Sequence, residues 1–219
     1  MSFYKMFDFL RELNKNNNKE WMDAHRKEYH EVRDFYIDWL NEMDMKLANV
    51  NPNYSHTPGK KAINRINNNL LYHPNKPVYK DHFGAGLDLE KGKGDFYIHL
   101  GINGSFLAGG FYKPKSNTLK SIRDAIDYNG EKLKGIIEKP SFKKMFGDLE
   151  DEEMLKTSPK GYSQDHKHID LLRHKSFAVI RTVTQKEVLD DSFNDHVIEV
   201  YKEMLPFREY LNEAVTVKG

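Results

Sequence analysis

The sequence predicts an α+β fold in which helices, one of them long and N-terminal, flank an antiparallel or mixed sheet with a central β-hairpin. Apolar residues recur at helical spacing from Phe3 and again between Trp21 and Leu47. The segments 96–102 and 105–112 are predicted strands, and Asn103-Gly104 between them is typical of a type I′ hairpin turn. Local helices together with a hairpin favour a mixed fold.

Length and composition are those of one large domain, and we assign residues 1–219 to it, since no repeat or low-complexity linker divides the chain. The formal net charge is +1, which gives no overall attraction to nucleic acid or to an anionic membrane. The 12 tyrosines and 13 phenylalanines offer stacking faces for bases, but without a basic excess nucleic acid is disfavoured as a partner.

Several kinds of site and segment are absent from the sequence. There is no cysteine, so disulfides and thiolate sites are excluded. No apolar stretch approaches the roughly 20 residues that span a bilayer, and the N-terminus lacks an apolar signal core. We therefore expect a cytoplasmic protein with no membrane association. No Walker loop, G-x-S-x-G or strand-bounded G-x-G-x-x-G occurs, and no cofactor is predicted.

The N-terminal quarter is predicted to contain two helices. The first begins at Phe3 and is broken at Asn16–Asn18. Asn17 as N-cap would place Glu20 at N3, a capping-box arrangement, and one helix would then continue to the residues before Asn51-Pro52.

The remaining elements follow from local signals. Residues 61–78 stay ambiguous, because Ala62, Ile66 and Leu70 fit a helix face while Pro74 and Pro77 favour extended chain. Strands are predicted near 79–87, 154–157 and 176–184. Helices are predicted from Ser116 or Asn117, over 169–173, from the Thr184–Glu187 capping box, and from Ser192 to a bend or restart at Pro206.

Several ordered blocks of the chain match one known pattern. They include FLRELNKNNNKEWMDAHRKEYHEVR from Phe9, RINNNLLYHPNKPVYK from Arg65, FYIHLGINGSFLAGGFYKP from Phe96, and SPKGYSQDHKHIDLLRHKSF from Ser158. With these blocks the chain resembles the bacterial family called domain of unknown function 2461. The resemblance implies no established reaction, so it leaves open whether the protein is an enzyme.

The central motif of that family usually runs R-x-x-R-D-x-R-F, then an acid or Asn, then K-x-x-Y-K. The matching residues here are Arg65, Asn75, Lys76, Tyr79 and Lys80, and Tyr72 replaces the Phe. Asn68, Asn69 and Leu71 stand where the family has Arg, Asp and Arg. Either the lost charges formed a buried ion-pair network that neutral groups replace here, or this member has lost or altered an activity that used them; we favour the first, because the rest of the motif remains.

The candidate ligand-binding residues combine cations with tyrosines, a set that suits phosphate or carboxylate. They are Arg65, Lys76, Tyr79, Lys80, Arg123, Lys160 and Tyr162. The resemblance strengthens this interpretation for Lys76, Tyr79, Lys80, Lys160 and Tyr162, which lie in its blocks. The alternative is that these charges are solvated, or that Arg65 and Arg123 are buried partners of Asp81, Asp95 or Asp124.

A second candidate, a metal site, is Asp165-His166-Lys167-His168-Ile169-Asp170, with His174 nearby. In a strand, His166 and His168 would point to one side, as two zinc ligands do. The segment is instead predicted to be a loop entering a helix, and no second ligand cluster accompanies it. Surface histidines are the favoured interpretation, and no metal is predicted.

The function we predict is binding of a small anionic or polar ligand in a basic, tyrosine-containing pocket on the sheet. Glycines at 84, 86, 92, 94, 101, 104, 109 and 110 allow close approach to the backbone, either by a ligand or by helices of the chain itself. One alternative is a non-catalytic module that binds a protein partner through the glycine-rich sheet. A weaker alternative is an enzyme acting on a phosphorylated or nucleotide-like substrate, with unknown catalytic residues.

Overall fold

The computed structural model of the chain describes residues 1–216. It combines helices with one four-stranded antiparallel sheet, as the sequence predicts, and the strand order follows the chain, β1-β2-β3-β4. The strands are β1 His82–Leu87, β2 Asp95–Gly101, β3 Gly104–Phe111 and β4 Phe177–Val183. The helices are α1 Phe3–Lys15, α2 Lys19–Ala24, α3 Arg26–Ala48, α4 Gly59–Ala62, α5 Ser116–Ile137, α6 Pro140–Phe146, α7 Ile169–Leu172, α8 Gln185–Val188 and α9 Phe193–Thr216.

The predicted second helix is divided in two, so the expectation of one uninterrupted helix is wrong. His25 separates α2 from α3 with φ −106° and ψ 18°, and its ring stacks on Trp21 with centroids 3.9 Å apart. The N-cap of α2 is Asn18, whose side chain accepts a hydrogen bond from the Trp21 amide at 2.9 Å. Asn17, the predicted cap, is used elsewhere.

The hairpin between β2 and β3 is confirmed, but its turn is not the predicted type I′. The turn residues are Ile102 and Asn103, and Gly104 already begins β3 with φ +141°. A type I′ turn requires positive φ at both central residues. Among the described non-glycine residues, only Asp88 and Lys113 have positive φ, so Asn103 does not meet that requirement.

The later elements mostly follow the predicted order. The Thr184–Glu187 capping box is formed, and β4 and α7 lie where the sequence places them. The predicted strand at 154–157 is wrong, since residues 154–155 have no regular secondary structure and residues 156–157 form a bend. Pro206 lies inside α9, which continues through it to Thr216.

The chain divides into two compact units. The first is formed by Met1–Leu89, Tyr97–Leu107 and Thr182–Ile198, and the second by Glu90–Phe96, Ala108–Arg181 and the chain from Glu199 onward. Whether they act as one domain stays a prediction. No helix in the described part of the chain is both long and apolar enough to cross a membrane.

Each unit has its own aromatic core. In the first, the Phe3 ring meets Trp39 edge-on at 5.2 Å, and Trp39, 7% exposed, donates to the Asn194 side chain at 2.7 Å. In the second, Phe142 packs on Phe207 with ring centroids 5.8 Å apart. Trp39 belongs to the apolar pattern between Trp21 and Leu47, so its burial agrees with the helical spacing of that pattern.

Candidate anion site on the sheet

The segment that was ambiguous in sequence begins in α4, pairs through Ile63 and Asn67 with the chain at and before β1, and then turns over residues 70–76. Ile63 pairs with Ala85 and Asn67 with Tyr79 in isolated antiparallel bridges. The Asn64 amide donates to the Gly84 carbonyl at 2.7 Å, and the Lys80 amide donates to the Ile66 carbonyl at 2.8 Å. The beginning of the family motif, near Arg65, is thereby held beside its end, at Tyr79 and Lys80.

The side chain of Asn17 fixes the end of the motif at Tyr79. Its Oδ1 accepts from the Tyr79 amide at 2.8 Å, and its Nδ2 donates to the Tyr79 carbonyl at 3.0 Å. The Tyr79 ring is 4% exposed, which leaves it little surface for a ligand. Tyr79 therefore anchors the segment, and the next residue, Lys80, is set in a defined place.

This segment carries three cationic residues, Arg65, Lys76 and Lys80, which we call the cation trio; Arg65 and Lys76 are exposed and Lys80 is partly buried. The Lys80 Nζ donates to the backbone carbonyl of Arg65, so the end of the Lys80 side chain lies against the main chain at Arg65. Burial lowers the pKa of Lys80, and the charges of Arg65 and Lys76 lower it further. None of the three forms an ion pair with a carboxylate within residues 1–216.

Three stacked aromatic rings, one each from β1, β2 and β3, lie side by side on the sheet. His82 is the first residue of β1, and the chain bends at Asp81, between His82 and Lys80. His82 stacks on His99 with centroids 3.8 Å apart, and His99 stacks on Phe106 at 4.4 Å. We call His82, His99 and Phe106 the histidine face.

Asp81 orients the first of these rings. Its Oδ1 lies 2.9 Å from His82 Nδ1, and its Oδ2 accepts from the Asn103 side chain at 2.7 Å. Burial would raise the pKa of Asp81, but the hydrogen bonds with His82 and Asn103 outweigh it and the pKa is lowered. An ionised carboxylate only accepts, so His82 Nδ1 carries the proton and Nε2 carries the lone pair.

Both histidines of the face are neutral near pH 7. Burial lowers the pKa of His82, an effect that its hydrogen bond to Asp81 opposes and that the charges of Lys80 and Lys76 reinforce. Burial and the neighbouring His82 lower the pKa of His99 to about 4. Within the described chain neither His82 Nε2 nor the His99 nitrogens are fully buried, and none has a hydrogen-bond partner. These nitrogens are available to a ligand.

The other predicted site residues lie in the second unit, and two of them are already engaged. Arg123 donates to the carbonyls of Leu172 at 2.9 Å and His174 at 3.1 Å. The Tyr162 hydroxyl donates to Asp124 at 2.9 Å, and burial together with this carboxylate raises the pKa of Tyr162 to about 12. Lys160 is exposed. Their place in a ligand site stays a prediction.

The alternative in which Arg65 and Arg123 pair with buried carboxylates is wrong. Asp81 is bound by His82 and Asn103, and Arg65 is exposed. Asp124 is bound by Tyr162 and Lys120, and Arg123 bonds only to carbonyls among the described residues.

The histidine segment considered as a metal site is held by one face of α5. His166 Nε2 lies 3.0 Å from Asp127, and His168 Nε2 lies 3.5 Å from Glu131. The His168 ring is 3% exposed and rests on Gly130, where an added Cβ would lie 2.5 Å from it. Within residues 1–216, no three His, Asp or Glu side chains are placed to hold a metal ion.

The three departures from the family motif are not a buried network. Leu71 is 83% exposed and Asn69 is also exposed, so charges at these positions would be solvated. The Asn68 amide donates to the Val78 carbonyl at 3.0 Å, and its side chain donates to the Pro77 carbonyl at 2.9 Å. The interpretation of a neutralised buried network is therefore wrong for Asn69 and Leu71.

Sequence reasoning missed Asn17, His82 and His99 as parts of this site. A signal for His99 was present, because Tyr97 and His99 alternate with the apolar residues Phe96, Ile98 and Leu100 along one strand. Asn17 carried no comparable signal, since three consecutive asparagines are interchangeable as caps in sequence.

Comparison with known proteins gives one match. A sequence model of the family described as conserved hypothetical protein (DUF2461) matches residues 5–210, nearly the whole chain. No curated protein and no solved structure matches it.

Proposed function

The chain belongs to the family of conserved hypothetical proteins DUF2461, and from the geometry of its site we propose that it binds a small anion bearing a phosphate or carboxylate. The ligand lies at the cation trio, against the histidine face. The observation that carries this proposal is the contact of Lys80 Nζ with the Arg65 carbonyl, which holds two cationic residues together; burial, then the charges of Arg65 and Lys76, lower the pKa of Lys80. Like charges held together without a carboxylate are stabilised by an anionic ligand.

The geometry supports a specific site rather than a diffuse surface charge. Lys80 is partly buried and held through Tyr79, whose backbone is bound at both polar atoms by Asn17. A fixed charge loses less conformational entropy on binding than a flexible one. The neutral rings beside it supply a hydrogen-bond acceptor and a flat surface, which suits an anion attached to an organic group.

Phosphate-dependent thermal stability tests this proposal. An anion that binds only the native state at tenfold above its Kd stabilises it by about 1.4 kcal/mol, which raises the Tm by about 3–6 °C in a chain of this size. Lys80→Met keeps the aliphatic stem and removes the charge, so this rise should shrink to less than half. Lys91→Met is the matched control, because Lys91 is exposed and outside the trio. An equal rise in Lys80→Met and Lys91→Met would exclude this site.

An interaction module is the second candidate, favoured by one loop in the first unit. Leu71 is 83% exposed and Tyr72 is 74% exposed, side by side. Large apolar side chains grouped in solvent are typical of contact surfaces. Under this alternative, phosphate would leave the Tm unchanged, while Leu71→Ser with Tyr72→Ser would abolish a self-association measured by sedimentation.

A further inference from the structure

The histidine face contains an arrangement that anion binding alone does not use. Asp81 and His82 are joined through Oδ1 and Nδ1 at 2.9 Å, and Asp81 is itself held by Asn103 at 2.7 Å. The His82 ring plane is further fixed by the stacked His99 ring at 3.8 Å. The result is an imidazole whose tautomer and orientation are both set, with the Nε2 lone pair left open.

This imidazole stands beside the proposed anion site. His82 is two residues from Lys80, whose amide donates to the Ile66 carbonyl at 2.8 Å and whose Nζ donates to the Arg65 carbonyl. The charges of Lys80 and Lys76 act on the pKa of His82, which places the ring within electrostatic reach of the trio. The ring keeps 19% of its side-chain surface exposed, so a water molecule can approach Nε2.

We propose that His82, positioned by Asp81, is a general base that activates water against a phosphate ester bound at the cation trio. The inference rests on the proposed function and extends it from binding to hydrolysis. The cation trio neutralises charge on the phosphoryl oxygens, and the histidine supplies the base.

The step is balanced as follows. The oxygen of a water molecule attacks phosphorus while the bond between phosphorus and the ester oxygen breaks. His82 Nε2 takes a proton from the water, and the leaving oxygen departs with the electron pair of the broken bond. The proton then passes from His82 to solvent or to the departing alkoxide, which restores the neutral base.

The state of the ring at neutral pH is the one a base requires. The charged and titratable groups facing His82 are Asp81, Lys80, Lys76 and His99. Burial and the two lysines hold the pKa of His82 below its ordinary value despite Asp81, so the ring is unprotonated at pH 7. Activity should therefore rise with pH with an apparent pKa below that of a free histidine, and it should reach its plateau before pH 7.

The experiment uses the full chain with 4-nitrophenyl phosphate as a monoester and bis(4-nitrophenyl) phosphate as a diester, since nitrophenolate leaves without an acid. Hydrolysis of either ester supports the inference if His82→Gln lowers kcat at least 100-fold while the phosphate-induced Tm rise persists. Asp81→Asn should lower kcat with little change in KM and move the acid limb of the pH profile. His73→Gln, an exposed histidine in the adjacent loop, should leave the rate unchanged.

The failures of the two proposals are distinguishable. No hydrolysis of either ester, with the phosphate-induced Tm rise intact, overturns the inference and leaves anion binding standing. Equal rates in His82→Gln and the natural protein also overturn it. Absence of any phosphate-induced Tm rise overturns the proposed function itself.

Discussion

The side-chain amide of Asn17 binds both polar backbone atoms of Tyr79, at 2.8 Å to the amide and 3.0 Å to the carbonyl. These residues are 62 positions apart in the chain. The pair mimics one rung of a β-ladder and holds the segment that precedes β1, in which Lys80 lies, against the residues that follow α1. The position of the cation trio therefore depends on an asparagine far from it in sequence.

Replacing Asn17 tests this dependence. Asn17→Ala removes two hydrogen bonds and leaves partly buried backbone groups unpaired, which should cost about 1–3 kcal/mol in the free energy of unfolding. Urea unfolding measures the cost, and the phosphate-induced Tm rise should shrink as well. Asn16→Ala is the control, because the Asn16 side chain donates only to the Glu12 carbonyl of its own helix. Equal losses in the two variants would contradict the role assigned to Asn17.

The stacked histidines make stability depend on pH. His99 stays neutral in the folded chain down to a pKa of about 4, whereas in the unfolded chain it protonates near its ordinary value of 6.5. Between these values the unfolded state binds more protons, so the free energy of unfolding falls as the pH falls. The contribution is fully present above pH 6.5 and lost below about pH 4. After a discount for partial exposure it amounts to about 1–2 kcal/mol.

His99→Phe keeps an aromatic ring between His82 and Phe106 and removes the titrating group. The loss of unfolding free energy between pH 7.5 and pH 5 should therefore be smaller in this variant than in the natural protein. Urea unfolding at the two pH values measures it, with His73→Phe as an exposed control. A pH dependence as large in His99→Phe as in the natural protein would show that His99 is not held neutral.

Two glycines of α5 should respond oppositely to alanine. An added Cβ at Gly130 would lie 2.5–2.9 Å from three atoms of the buried His168 ring, whereas at Gly135 nothing lies within 4 Å. Gly130→Ala should cost about 1–3 kcal/mol through overpacking. Gly135→Ala should gain about 0.5–1 kcal/mol from helix propensity. Thermal unfolding measures both changes in stability. A Gly130→Ala variant as stable as the natural protein would mean that the His168 ring moves aside at no cost in free energy.

Features set by adjacent residues were predictable from sequence. The hairpin strands follow from the Asn103-Gly104 pair between two strand-like runs, and the Thr184–Glu187 capping box from two side chains three positions apart. The break at His25 was not predictable, because helical periodicity continues through it and only the stacking of His25 on Trp21 marks it.

The site was predictable only in part, because it depends on contacts between residues that are distant in sequence. The basic residues of the family motif were visible in the sequence. That Lys80 contacts Arg65, 15 positions away, depends on how the intervening chain turns back. The stacking of His82 on His99 requires the register between β1 and β2, which one sequence does not specify. Arg123 looked like a ligand group, yet its donors satisfy the carbonyls that follow a short helix.

Phosphate titration followed by NMR of the histidine ring signals tests the central claim most directly. An anion at the cation trio should shift the His82 signals and raise the pKa of His82, because it offsets the charges of Lys80 and Lys76. His99 should shift less, and the exposed His73 should not follow the same saturation curve. In Lys80→Met these shifts should disappear. Saturable shifts confined to histidines outside the face, or none at all, would contradict an anion site on this sheet.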